Sequence, residues 1–316
     1  LKAIVYENYG APSVLRLREI EKPAPLEGEV LIRVRAASVN PLDWHFLTGR
    51  PLVVRMFAGL LRPKHPILGA DISGSIEAVG SGVRTLHAGD DVFGTTGASG
   101  SFAEYAAIRE GRLTRKPANV GFDEAAAAPV AALTALQGLR DKGGLRGGQR
   151  VLILGASGGV GTYAVQIAKS FGAHVTGVCS GRNVDLVRCL GADRVLGYDR
   201  DDFARESATY DVILDLVGKR SLADCKRALA EAGVYIAIAG APSRTLWMSL
   251  TGGKRMVSMI TRPNQADLGI VRDLLESGKI RSVIDRRYPL SGAADAVQYV
   301  GEKHSRGKVV LTIPSG

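Results

Sequence analysis

Seven residues, Gly155-Ala156-Ser157-Gly158-Gly159-Val160-Gly161, follow the apolar run Val151-Leu152-Ile153-Leu154 and lead into a helical pattern over Val160–Phe171. An uninterrupted apolar run of this length reads as a strand buried on both faces. At such a strand-to-helix turn, Gly158 lets the backbone approach a pyrophosphate and Gly161 lets the helix pack on the strand. The free N–H groups and partial positive charge of the helix start then face the anion. This context makes dinucleotide binding the leading chemistry, with Ser157, Gly158, Gly159, Val160 and Gly161 as cofactor contacts. Ala156 replaces the usual first glycine, so it needs a negative φ and a loop shaped to suit. The same residues also fit G-x-S-x-G, the nucleophile elbow of α/β-hydrolases, with Ser157 as nucleophile and Asp285 and His304 as downstream partners. No HGGG-type oxyanion segment precedes the loop and Gly161 has no role there, so the hydrolase is kept as a remote alternative.

Selectivity for NAD needs an acidic residue about 20 positions after the loop, on the ribose hydroxyls. The second strand of the unit, His174–Val178, runs instead into Cys179-Ser180-Gly181-Arg182, with no carboxylate. Ser180 can donate to a phosphate oxygen and Arg182 supplies charge and a fork of donors. The cofactor expected on these grounds is NADPH.

The elements that must position these groups alternate. His174–Val178, Asp211–Leu216, Val234–Ala239 and Arg255–Ile260 read as strands; Asn183–Leu190, Ser221–Ala230 and Gln265–Glu276 read as helices. That alternation predicts a parallel, doubly wound sheet. Residues 1–121 differ: Leu31-Ile32-Arg33-Val34-Arg35 and Ile76-Glu77-Ala78-Val79 alternate and end in turn residues, as half-buried strands do. Asp123 is expected to cap a helix over Glu124–Ala128, which Pro129 interrupts. The final run, Lys308–Ile313, is a lone strand expected to return to the first domain. The expected layout is a β-rich domain of residues 1–121 and 262–316, with a Rossmann domain of 122–261 inserted in it.

The chain has 316 residues, a size for two domains, and carries 41 Lys and Arg against 31 Asp and Glu. Its net charge of +10 suits an anionic ligand, and the cations form no block of the kind that binds nucleic acid, so none is expected as partner. No apolar run approaches the ~20 residues of a membrane span. Cys179, Cys189 and Cys225 form no CxxC pair, which favours a reducing, cytoplasmic setting.

Several motifs together resemble the medium-chain dehydrogenase/reductase superfamily, and most of all its zinc-free quinone oxidoreductase (zeta-crystallin-like) branch. They are Asn40-Pro41-Leu42-Asp43, Leu68-Gly69-Ala70-Asp71-Ile72-Ser73-Gly74, Ala88-Gly89-Asp90-Asp91-Val92-Phe93-Gly94, Gly100-Ser101-Phe102-Ala103-Glu104-Tyr105 and Leu133-Thr134-Ala135, with the loop itself. The resemblance implies a GroES-like partial β-barrel domain beside the Rossmann domain, a homodimer, and a site between the two domains. Zinc-dependent members carry Cys near Asn40 and a His where Ala70 stands; neither is present, and the five histidines have no ligand spacing, so no metal is expected. By the same resemblance Asn40 lines the substrate side of the nicotinamide and Thr134 its ring. Tyr198 lies near the adenosine phosphate, Val217, Gly218, Ala239 and Gly240 along the nicotinamide half, and Arg306 and Lys308 at a further cofactor contact.

Without a Lewis acid the chemistry suits acceptors that delocalise charge themselves, quinones and α,β-unsaturated carbonyls, reduced by hydride from NADPH. The proton source is open: Asp43 and His45 are the candidate acid-base groups, Asp43 being better suited to fixing its loop, and solvent can suffice. A non-catalytic NADPH-binding protein, of crystallin-like or RNA-binding role, is the rival reading. Residues 50–65 combine Leu52, Val53, Val54, Met56, Phe57, Leu60 and Leu61 with Arg50, Arg55, Arg62 and Lys64, the spacing of a short amphipathic helix. It can serve as packing, as a lid over a pocket for a lipophilic electrophile, or as a weak membrane-surface contact.

Overall fold

The computed structural model describes residues 1–97, 99–205, 209–238, 255–302 and 305–314. It divides into two compact units, Leu1–Val130 with Pro263–Gly316, and Ala131–Arg262.

The second unit is built on six parallel strands: β8 (Arg150–Leu154), β9 (His174–Cys179), β10 (Arg194–Gly197), β11 (Tyr210–Asp215), β12 (Leu229–Ala237) and β13 (Arg255–Ser258). Their spatial order is β10-β9-β8-β11-β12-β13, so the chain reverses its direction of winding between β8 and β11. In such sheets ligands bind beyond the carboxyl ends of the two strands at that reversal. The helices α5 (Gly159–Ser170), α6 (Val184–Cys189) and α7 (Leu222–Ala228) make the crossovers. Val151, Leu152 and Ile153 are fully buried, as their unbroken apolar run requires.

In the first unit a sheet in the order β14-β15-β3-β4-β5-β7 combines β3 (Glu29–Val39), β4 (Asp71–Val79), β5 (Asp91–Thr95), β7 (Leu113–Arg115), β14 (Ile284–Pro289) and β15 (Lys308–Thr312); β6 (Tyr105–Arg109) pairs with β3. The C-terminal strand therefore does return here, antiparallel to β3 with Val309 opposite Val39. Helix α1 (Pro41–Thr48) packs on α9 (Ala293–Gly301), where Gly301 has no side chain because a Cβ would lie 2.3 Å from the Trp44 ring.

Local expectations are corrected or sharpened at four points. Helix α3 is Phe122–Ala126 and its N-cap is Gly121, whose N–H donates to Glu124; Asp123 lies inside the first turn and pairs with Arg287 at 2.6 Å. Ala126 and Ala127 pack on Ala36 and Val310, so this segment belongs to the first unit, whose border falls at Val130 instead of residue 121. Pro129 opens α4 (Pro129–Gln137) instead of interrupting a helix, since its missing N–H is harmless in a first turn. The amphipathic segment forms only α2, Val54–Ala58, and Leu52, Met56, Phe57, Leu60 and Leu61 are all exposed.

Candidate functional site

The glycine turn stands at the end of β8, at the reversal of the second sheet. Gly155 takes a positive φ of 89°, and both its N–H and that of Ala156 donate to Val178 O in β9, at 3.0 and 2.9 Å. Ala156 is accommodated because β9 has a glycine beside it: a Cβ on Gly177 would lie 3.0 Å from the Ala156 Cβ. Gly158 is the N-cap of α5 with φ −80°, and its N–H donates to Gly155 O at 3.1 Å. A Cβ on Gly158 would meet only that oxygen, at 3.4 Å, whereas one on Gly161 would lie 2.1 Å from it and 2.8 Å from the Ala156 backbone. The two glycines thus differ in kind. Gly158 keeps the outer face of the turn open, and Gly161 closes helix onto strand. Open backbone, a helix start and the reversal point together fit a pyrophosphate.

Ser157 is buried, and its hydroxyl accepts from Asn183 Nδ2 at 3.0 Å. A nucleophilic serine donates to a base; the partner found here is an amide donor, so the geometry lends the hydrolase reading no support. His304, the base that reading needs, lies outside the described residues. The same bond ties the glycine turn to the Ser180–Asn183 turn that follows β9, where Ser180 precedes one turn of 3₁₀-helix and Arg182 is exposed. Tyr198 is also exposed, with its backbone N–H on Cys179 O at 2.9 Å.

Beyond β11 the loop Leu216-Val217-Gly218 is held by a residue that no motif pointed to. Asp215, fully buried, accepts from the N–H groups of Val217 and Gly218 at 2.9 and 2.8 Å through one oxygen and from the Tyr235 hydroxyl at 2.7 Å through the other. An Asp whose side chain caps the N–H groups two and three residues on is a local signature, and Asp215-Leu216-Val217-Gly218 carries it. Val217 Cγ2 lies 2.7 Å from where a Gly155 Cβ would stand, so this loop lies against the glycine turn. The Thr134 hydroxyl is bonded to that of Thr261 at 2.6 Å, and Gln137 clamps Arg262 through both its N–H and C=O, at 2.9 and 2.8 Å. Ala239 and Gly240 lie outside the described residues.

The first unit carries a separate buried polar cluster, brought together by strand register. Ser38 is opposite Asp71 in the β3–β4 pair, and the β15–β3 pair continues to bring Lys308 to Asn40. Asp71 Oδ2 accepts from Ser38 Oγ at 2.6 Å, Asn40 Nδ2 at 2.9 Å and Lys308 Nζ at 3.3 Å, and Oδ1 accepts from Val130 N at 2.8 Å. Lys308 Nζ also donates to Asn40 Oδ1 at 2.6 Å, and only 4% of Lys308 is exposed. Two of its ammonium hydrogens are therefore spent inside this unit, on the groups holding Asn40. Asn40 in turn has both ends of its amide engaged.

Asp43 closes a capping box on α1: Oδ2 accepts from Asn40 N at 2.7 Å, and Oδ1 from Gly69 N at 3.0 Å. Burial pushes its carboxyl up to about 7; the two N–H donors pull down, Asp71 adds to the rise and Lys308 opposes it. Between its unfolded value of 3.8 and about 7 the folded chain holds a proton that the unfolded chain has released. Stability from this group is thus full below that window and lost as pH rises through it, at up to about 1.4 kcal/mol per pH unit. The urea midpoint should fall from pH 4.5 to 7.5 in the wild type, with a smaller slope in Asp43→Asn; identical slopes would remove Asp43 as the source. His45 is half-buried, with Nδ1 2.8 Å from Arg50 O.

The chain matches the alcohol dehydrogenase GroES-like domain family over residues 26–118 and the zinc-binding dehydrogenase family over residues 190–311. It is 34% identical over 331 residues to the chloroplast envelope quinone oxidoreductase homolog of Arabidopsis thaliana, covering 98% of both chains. It is also 34% identical over 324 residues to the NADPH-dependent alkenal/one oxidoreductase of the same plant, covering 98% of this chain and 79% of that one. The solved quinone oxidoreductase of Coxiella burnetii has a TM-score of 0.91 and 31% identity, over 99% of each chain.

The residues around Asn40 and Asp71 offer zinc poor ligands. Where the resemblance would put ligands stand an amide, Asn40, a methyl, Ala70, and the Asp71 carboxylate, whose oxygens already serve four donors, one of them an ammonium. Among the described residues no three His, Cys, Asp or Glu side chains stand together as a metal site.

Proposed function

Since the chain belongs to the quinone oxidoreductase branch of the medium-chain dehydrogenase/reductase superfamily, we propose that it is a zinc-independent, NADPH-dependent reductase of quinones or α,β-unsaturated carbonyls. The observation that carries this reading is the glycine turn at the sheet reversal, linked through Asn183 to a turn that offers Ser180 and Arg182 and no carboxylate of its own.

NADPH, when bound, supplies a hydride. The chain's own residues do the rest. The α5 N-terminus and Gly158 receive the pyrophosphate, and Ser180 and Arg182 hold the 2′-phosphate, Arg182 through paired N–H donors. Asp215 fixes the Val217–Gly218 loop, so its backbone groups are set before a ligand arrives, which lowers the ordering cost of binding. Acceptors that spread the incoming negative charge over their own π-system need no metal to polarise them. Two names among the relatives, a quinone oxidoreductase homolog and an alkenal/one oxidoreductase, support both acceptor classes.

NADPH oxidation should be followed at 340 nm with 1,4-benzoquinone, 9,10-phenanthrenequinone and a 2-alkenal. Turnover of at least one acceptor is expected. Tight NADPH binding with no turnover of any would favour the non-catalytic binding protein. NADPH should bind at least about ten-fold tighter than NADH, a difference of about 1.4 kcal/mol. Arg182→Ala should remove most of that difference; an unchanged ratio would dissociate Arg182 from the 2′-phosphate.

A further inference from the structure

A carboxylate does reach the turn after β9, from the neighbouring strand. Gly197, the last residue of β10, pairs with Cys179 of β9, and the backbone bond from Tyr198 N to Cys179 O carries the register one step further. Asp199 therefore comes level with the Ser180–Arg182 turn. Its Oδ1 accepts from Gly181 N at 2.9 Å. Gly181 has an ordinary negative φ, so its lack of a side chain is not a backbone requirement. A Cβ there would lie 2.6 Å from Asp199 Oδ2 and 3.0 Å from Oδ1, so the glycine makes room for this carboxylate. Arg200 is the cation nearest to it, with Nε 3.9 Å from Oδ2, and both side chains are at least half exposed. The negative charge is also felt by the Cys179 thiol, which burial first and Asp199 second push up to about 11.

We propose that Asp199 is a specificity-determining residue that opposes the 2′-phosphate held by Ser180 and Arg182, so that the chain takes NADPH with a narrower preference over NADH than its Ser-Gly-Arg turn would give alone. This rests on the NADPH reading above. Two effects act together. The Gly181 N–H, a donor otherwise aimed at an anion entering the turn, is spent on the carboxylate. The carboxylate also repels the phosphate, since like charges on one half-solvated turn oppose each other; a factor of about ten in affinity corresponds to about 1.4 kcal/mol. NADH lacks the phosphate and is not subject to that repulsion.

The test is direct binding of NADPH and of NADH, by titration calorimetry, to the wild type, Asp199→Asn and Arg182→Ala. Asn keeps an oxygen for the Gly181 N–H and removes only the charge. Asp199→Asn is expected to tighten NADPH about ten-fold and to leave NADH within about two-fold, with the gain shrinking in 0.5 M salt as screening requires. An unchanged or lowered NADPH-to-NADH ratio in Asp199→Asn overturns the proposal, including the case in which both affinities fall together because the turn has loosened. A wild type that binds neither nucleotide overturns the NADPH reading and this one with it. Binding of NADPH that depends on Arg182 and ignores Asp199 overturns this one alone.

Discussion

Gly161→Ala is expected to lose both stability and dinucleotide binding, while Gly158→Ala loses binding and keeps its stability. The difference follows from what each added methyl meets. At Gly161 the new carbon would lie 2.1 Å from Gly155 O and 2.8 Å from the Ala156 backbone. Those atoms cannot yield cheaply, because the N–H groups of Gly155 and Ala156 are bonded to Val178 O and Gly155 O accepts from Gly158 N. Relief requires helix α5 to lift off β8, over a fully buried face that includes Ala164, Val165 and Ile167. Overpacking of a tight site costs about 1–3 kcal/mol and more where backbone must move. At about 3 kcal/mol, and 2–4 °C per kcal/mol for a unit of this size, the melting temperature should fall by roughly 6–12 °C. At Gly158 the methyl has only one neighbour, at 3.4 Å, and φ is already negative, so the fold accepts it. It would instead project into the space that a pyrophosphate approaches, and NADPH affinity should drop by about a hundred-fold or more. Calorimetric melting of the two variants beside NADPH titration separates the cases. Full binding by Gly158→Ala would mean that the turn does not cradle a phosphate.

The glycine turn was legible because its meaning is local: a buried strand, a turn and a helix start follow one another within 20 residues. The turn after β9 was only half legible. Reading along the chain from Gly155 finds Ser180 and Arg182 but no carboxylate, and Asp199 enters the same turn only through the β9–β10 pairing, eighteen residues later. Asp215 carried a readable signal, an Asp two and three residues ahead of the N–H groups it caps, yet its second partner, Tyr235, lies on the adjacent strand. The link from Ser157 to Asn183 joins two turns in the same way. In residues 50–65 the spacing pointed to a short helix, and Pro51 and Gly59, which bracket the segment, hold it to five residues. Least visible was the role of Lys308, 268 residues from Asn40 and 237 from Asp71, since only the antiparallel return of β15 onto β3 makes them neighbours.

That cluster sets up the second large effect, an asymmetry between its two charged members. Asp71→Ala should destabilise the first unit by about 3–5 kcal/mol, as removal of one member of a buried pair does. It removes the acceptor of three donors besides the ammonium: Ser38 Oγ, Asn40 Nδ2 and Val130 N. Lys308→Met should cost less, near the lower end of that range, because Asp71 keeps those three donors and only Asn40 Oδ1 loses its partner. The double variant Asp71→Asn/Lys308→Met removes both charges at nearly constant volume, and buried pairs replaced by neutral groups are often no less stable. It should therefore recover stability relative to Asp71→Asn alone, with a coupling of about 1–3 kcal/mol in a double-mutant cycle read by urea unfolding. Additive losses would mean that Lys308 and Asp71 are held by their strands independently. Coupling of the expected size would mean that a lysine ammonium supplies the fixed positive charge that keeps Asn40 in position.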